Sequence, residues 1–194
     1  MPLLWSNVSI RIIVNTLQKM ETTSKNIVLV GPMGSGKTTV GRRLANELNQ
    51  DFFDTDHEII DKTGVNIGHI FDIEGEEGFR ERESKILENL CQMSNIILAT
   101  GGGIVILPKN REILRKAGLV VYLSSSVDQL LHRTTKSKTR PLLENSTDRR
   151  KTITELVEAR DVYYREVASI VVNTTGLKLR EVTNIIKRET ENVE

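Results

Sequence analysis

Short apolar runs alternate along the chain with stretches in which apolar positions recur every three or four residues. Asn26–Val30 is a β-branched run that stops at a glycine, which predicts a buried strand. From Lys37 onward, Val40, Leu44 and Leu48 fall on one face of a helix. Asp51–Asp54 predicts a second strand. Helical patterning covers His57–Lys62 and then Glu76–Met93, where Phe79, Ile86 and Leu90 share a stripe. Asn95–Ala99 is a third strand, closed by three glycines. Glu112–Ala117 predicts a helix, Leu119–Leu123 a fourth strand and Val127–Arg133 another helix. Thr152–Ala168 is helical, Ile170–Val172 is a fifth strand, and Leu179–Glu189 closes as a helix. This alternation predicts an α/β fold, a parallel sheet with helices on both faces. No repeat or interdomain linker breaks the pattern, so residues 25–194 are expected to form a single domain.

Composition narrows the functional classes. With 194 residues, 38% of them hydrophobic, the chain can enclose a core without disulfide staples. Basic and acidic residues balance at 27 against 26, leaving +1. A protein that coats nucleic acid or an anionic membrane shows a larger basic excess, so neither partner is expected. Cys91 stands alone, which excludes an internal disulfide, and His57, His69 and His132 are too scattered for a metal cluster. No stretch approaches the ~18 apolar residues of a membrane-spanning helix. Met1–Lys25 makes a poor signal peptide, because it lacks a basic start and Arg11 interrupts its apolar residues. Residues 1–24 are therefore expected to be a poorly ordered leader outside the folded unit, and the protein to be cytoplasmic.

The strongest chemical signal is Gly31-Pro-Met-Gly34-Ser35-Gly36-Lys37-Thr38, which fits G-x-x-x-x-G-K-[ST] at every fixed position. It follows a strand and opens a helix, as a phosphate loop must. Backbone amides at the glycines can curl around phosphate oxygens, and the helix N-terminus adds partial positive charge. Lys37 would reach the β- and γ-phosphates, and the Thr38 hydroxyl would ligate Mg²⁺. A nucleoside triphosphate is the expected ligand.

Ligands of an open parallel sheet sit beyond the carboxyl ends of its strands, so the other strand ends come next. Phe53-Asp54-Thr55-Asp56 places two carboxylates about 6–7 Å apart on one face if the chain stays extended. One could support the metal while the other accepts a proton from an attacking hydroxyl. A capping pair would read the same way. Arg80 and Glu83 are three apart on a helix and can pair, holding the guanidinium in place. Gly101-Gly102-Gly103 lets a ligand approach the backbone and offers free N–H donors, although a plain turn has the same composition. From Arg133 to Lys151 there are seven basic and two acidic residues, a local +5. That segment is either a solvated loop or a lid closing over negative charge. Physical chemistry alone stops at a phosphotransferase with a small hydroxylated, anionic acceptor.

Six segments taken together are similar to the shikimate kinase family: Gly31–Gly41, Phe53–Asp56, Gly78-Phe-Arg80, Thr100–Gly103, Arg140-Pro-Leu-Leu143 and Arg160–Arg165. The resemblance spans about Lys25–Arg188. It implies a P-loop, nucleoside-monophosphate-kinase-like three-layer fold with a five-stranded parallel sheet in the order 2-3-1-4-5 and a mobile lid at about 133–151. It also implies transfer of phosphate from ATP to the 3-hydroxyl of shikimate, on the route to chorismate and the aromatic amino acids.

By that resemblance Lys37 and the amides of Gly34, Ser35, Gly36, Thr38 and Thr39 hold the phosphates. Thr38 ligates magnesium with water-mediated support from Asp54. Asp56 holds the acceptor hydroxyls, Arg80 and Arg160 grip the carboxylate, Gly101–Gly103 supply backbone contacts, and Phe71 and Phe79 form apolar walls. Arg140 reaches the nucleotide phosphates from the lid, and Arg133 lies against adenine. ATP, ADP and shikimate are then the partners, Mg²⁺ the cofactor, and a monomer the expected state. Two rivals carry the same phosphate loop: a kinase of another hydroxy acid such as gluconate, and a catalytically silent nucleotide-binding regulator. The second should have lost Lys37, Asp56 or Arg140, and all three are present.

Overall fold

The computed structural model describes residues 25–135 and 148–191. Five strands, β1 (Ile27–Val30), β2 (Asp51–Asp54), β3 (Ile96–Ala99), β4 (Leu119–Ser124) and β5 (Ile170–Asn173), form one sheet in the order β2-β3-β1-β4-β5. Every pairing is parallel, as the alternating pattern predicts. Seven helices surround it among the described residues: α1 (Lys37–Leu48), α2 (Thr55–Thr63), α3 (Ile67–Cys91), α4 (Pro108–Lys116), α5 (Val127–Thr134), α6 (Arg149–Val167) and α7 (Leu179–Glu191).

Successive strand residues point to opposite faces, and each face has its own core. Val28, Val30, Leu98, Val120 and Tyr122 pack against Phe79 and Leu87 of α3, Leu114 of α4 and Tyr164 of α6. On the other side Ile27, Leu29, Ile97, Val121 and Leu123 meet Val40 and Leu44 of α1 and Val182 and Ile186 of α7. Full burial of each such side chain stabilises by roughly 1.5–3 kcal/mol, so the sheet is clamped from both sides. β1 lies at the centre, and the phosphate loop therefore springs from a strand buried along its whole length.

Four helices differ from the sequence reading at their starts, α2 by beginning at Thr55 instead of His57. α3 begins at Ile67 instead of Glu76 and is broken at Gly75, where φ is 69° and ψ is −173°. Glycines at 68, 75 and 78 dilute the helical signal there, but the Asn66 side chain caps the start by accepting from the His69 amide. α4 begins at Pro108, whose missing N–H costs nothing in the first turn. α6 begins at Arg149, capped by Asp148. Asn26, read as part of β1, precedes it. Its side chain bridges the Met93 carbonyl and the Ile96 amide, fixing where β3 starts. The leader at 1–24 and residues 136–147 of the lid segment, Arg140 among them, lie outside the described residues. No helix among the described residues is long and apolar enough to cross a membrane.

Candidate active site

The turn after β1 wraps back so that Gly34 and Gly36 adopt left-handed φ values of 79° and 99°. Gly36 then caps α1, leaving the first amides of that helix pointing outward. Lys37 is buried, and its Nζ donates to the Gly31 and Pro32 carbonyls at 2.8 and 2.9 Å. A cavity of about 430 Å³ opens over this loop. Gly34–Thr39 form its floor, and Arg133 closes one side by donating to the Gly34 and Ser35 carbonyls. Thr174, Leu177, Leu179 and Val182 line the rest. Sequence reasoning missed this apolar half. The available signal was Leu177 in the connection after β5 and Leu179 at the start of α7.

The pair Asp54 and Asp56 is not extended, contrary to the reading that set both on one face of a strand. β2 ends at Asp54 and α2 begins at Thr55, because the Asp54 carboxylate caps that helix by accepting from the Asp56 amide at 3.0 Å. The two carboxylates consequently face different groups. Asp54 accepts from the Thr38 hydroxyl through Oδ2 at 2.7 Å. Asp56 is turned toward the triple glycine, where a Cβ added to Gly101 would lie 2.8 Å from its Oδ1.

That geometry also tests the expected metal. Thr38 and Asp54 put two hard oxygens side by side next to the phosphate loop. Among the described residues no group of three or more His, Cys, Asp or Glu could cage an ion. Such a site suits Mg²⁺, which keeps much of its water and shares substrate phosphates instead of taking an all-protein cage.

Arg80 and Arg160, distant in sequence, converge on the glycines after β3. The buried Arg80 donates through Nη1 to Glu83 Oε2 at 2.7 Å, which bears out the helical pairing. Its guanidinium lies against Gly103, where an added Cβ would overlap it, and stacks over the Phe79 ring at 5.2 Å. Phe71 meets Phe79 with ring centroids 4.7 Å apart. Arg160 Nη1 donates to the Gly102 carbonyl at 3.2 Å, and the Tyr164 hydroxyl donates to the same oxygen. One expectation is corrected here. The Gly101 amide is not free, since it donates to the Thr55 hydroxyl at 2.8 Å. Side chains close to the glycines leave room only for residues without a Cβ at Gly101 and Gly103.

Sequence reasoning paired Glu83 with Arg80 but gave it no place in the site, and it overlooked Tyr164. Glu83 is fully buried, its Oε1 has no hydrogen-bond partner among the described residues, and burial pushes its carboxyl up to about 7. The positive charge of Arg80 opposes that shift, while the nearby Asp56 carboxylate adds to it. Native protein thus holds a proton that the unfolded chain releases near 4.5. The stability this contributes is complete below about 4.5 and is lost as pH rises toward about 7. Thermal melts from pH 4.5 to 8 should show that decline, and Glu83→Gln should flatten it. A Glu83→Gln profile parallel to wild type would contradict the assignment.

The family model described as shikimate kinase matches residues 33–191. The chain belongs to the shikimate kinase family. It is 50% identical over 167 residues to the shikimate kinase of Thioalkalivibrio sulfidiphilus, covering 86% of this chain and 87% of that protein. Shikimate kinase 1 of an Enterobacter species is 45% identical, over 84% of this chain and 94% of its own. Among solved structures, the shikimate kinase from Acinetobacter baumannii in complex with shikimate superposes with a TM-score of 0.84. It is 44% identical and covers 88% of this chain and 95% of its own. A gluconokinase from Sinorhizobium meliloti at 20% identity and a TM-score of 0.56 shares the fold alone. The protein is therefore a kinase, a phosphotransferase with an alcohol acceptor, and the silent-regulator alternative is not favoured.

Proposed function

We propose that this chain transfers the γ-phosphoryl group of ATP to the 3-hydroxyl of shikimate, giving shikimate 3-phosphate and ADP on the route to the aromatic amino acids. The observation that carries the reading is the convergence of Arg80 and Arg160 on Gly101–Gly103, beside Asp56, at the carboxyl end of the sheet, which also bears the phosphate loop. Two guanidiniums suit a planar carboxylate, and a carboxylate near the glycines suits a hydroxylated ring.

The residues divide the work by position. The amides of Gly34–Thr39 and the Lys37 ammonium hold the triphosphate, while Leu177 and Leu179 flank the base opposite Arg133. Thr38 and Asp54 would hold Mg²⁺, which when bound neutralises phosphate charge. Asp56 accepts the proton of the attacking hydroxyl, and Arg80 and Arg160 orient the ring so that oxygen and γ-phosphorus lie in line. Arg140, outside the described residues, is assigned to the nucleotide phosphates as part of a lid over 133–151 that excludes water from the transfer.

Release of ADP from ATP and Mg²⁺ should be measured with shikimate, gluconate and neutral polyols as separate acceptors. Turnover with shikimate at least tenfold above gluconate is expected. Preference for gluconate would replace this reading with its rival.

A further inference from the structure

Arg80 is the group on which the acid would close, and its fork already holds two carboxylates. Nη1 donates to Glu83, while Nε and Nη2 both donate to Glu76 Oε1 at 3.3 and 3.1 Å. A guanidinium offers a carboxylate two paired edges, Nε with Nη2 and Nη1 with Nη2. Glu76 occupies the whole of the first edge, and Glu83 takes one nitrogen of the second. An incoming carboxylate that grips the Nε–Nη2 edge must therefore take the place of Glu76.

The two are unequally held. The Glu83 side chain is 0% exposed and wedged beside Gly101, whereas that of Glu76 is 55% exposed. Glu76 also follows directly on Gly75, the break in α3 with φ 69° and ψ −173°. Only glycine adopts that backbone readily, so the turn carrying Glu76 is joined to the preceding helix by its most pliable link.

We propose that Glu76 is a resident carboxylate on Arg80 that competes with the acid substrate and sets its affinity. The acid binds by displacing Glu76 into water while Glu83 keeps its hold, so the guanidinium exchanges one anion for another. A neutral polyol has no charge to exchange for Glu76 and leaves the pair closed, which makes the contact a filter for acids. The inference rests on Arg80 being the carboxylate clamp of the proposed function.

A bracing role for Glu76 predicts the opposite sign, which makes the test decisive. If Glu76 competes, Glu76→Gln and Glu76→Ala should lower the shikimate KM by about three- to tenfold, the scale of a partly exposed, charge-assisted pair. The ATP KM should stay within twofold, and kcat should change less than the shikimate KM. Calorimetric titration of shikimate into nucleotide-free protein should show the same tightening. Glu77→Gln, one residue along on the exposed surface, controls for a general loss of negative charge. An unchanged or raised shikimate KM in the Glu76 variants, or an equal fall in Glu77→Gln, overturns the proposal. Failure of wild-type protein to use shikimate at all would instead overturn the functional reading, so the two failures are distinguishable.

Discussion

Lys37→Ala is expected to lower kcat by about 10²–10³-fold, the usual cost of removing one preorganised charge from a transition state. Phosphoryl transfer leaves little covalent work for the protein, so the loss of a cation at the phosphates falls directly on the rate. The same change takes the Nζ donor from the Gly31 and Pro32 carbonyls, which now accept from it at 2.9 Å or less, and leaves Pro32 with the Ser35 amide. Leaving a buried acceptor unpaired costs ~1–3 kcal/mol, or several degrees of Tm for a chain of this length. The variant should stay folded at 25 °C, which separates chemistry from stability. Lys37→Arg should not restore the rate, because a planar fork cannot occupy the compact place of an ammonium between two carbonyls. Single-turnover kinetics paired with thermal melts would check both parts, and a rate within twofold of wild type would contradict the assignment.

Arg80→Ala should raise the shikimate KM by about 10²-fold, in keeping with the loss of a buried, hydrogen-bonded charge partner. The ATP KM should move by less than twofold, since the cavity over the phosphate loop does not include Arg80. Stability should fall as well, because Glu83 loses the charged hydrogen bond from Arg80 while remaining fully buried. Adding Glu83→Gln to Arg80→Ala should recover part of the lost Tm without recovering the KM. That split distinguishes a clamp from a structural pair, and equal effects on both substrates would refute the clamp. Arg80→Lys keeps the charge but loses the bidentate edge, and should fall between the two.

How far these features were readable depends on their range in the chain. The phosphate loop is local: its glycines, Lys37 and Thr38 are consecutive, and a buried strand before it and an amphipathic helix after it leave one geometry. Sheet order and parallel pairing followed from the alternation of elements and from the family resemblance. Boundaries failed where one residue served two elements. Asp54 ends β2 and caps α2, so an extended reading of 53–56 put both carboxylates on one face. The first turns of α3 were invisible because glycines interrupt their apolar period, and the compensating cap at Asn66 is a single side chain. The apolar half of the nucleotide cavity and the second partner of Arg80 were missed for another reason. Leu177 and Glu76 acquire their roles only from neighbours brought up by the tertiary fold. Composition carries no trace of such convergence.

The most direct test is to identify the product itself. Purified protein incubated with ATP, Mg²⁺ and shikimate should give a phosphate monoester whose phosphorus couples, in the NMR spectrum, to the ring proton at carbon 3. Absence of a new phosphorus resonance, or coupling to the proton of a different carbinol carbon, would contradict the account.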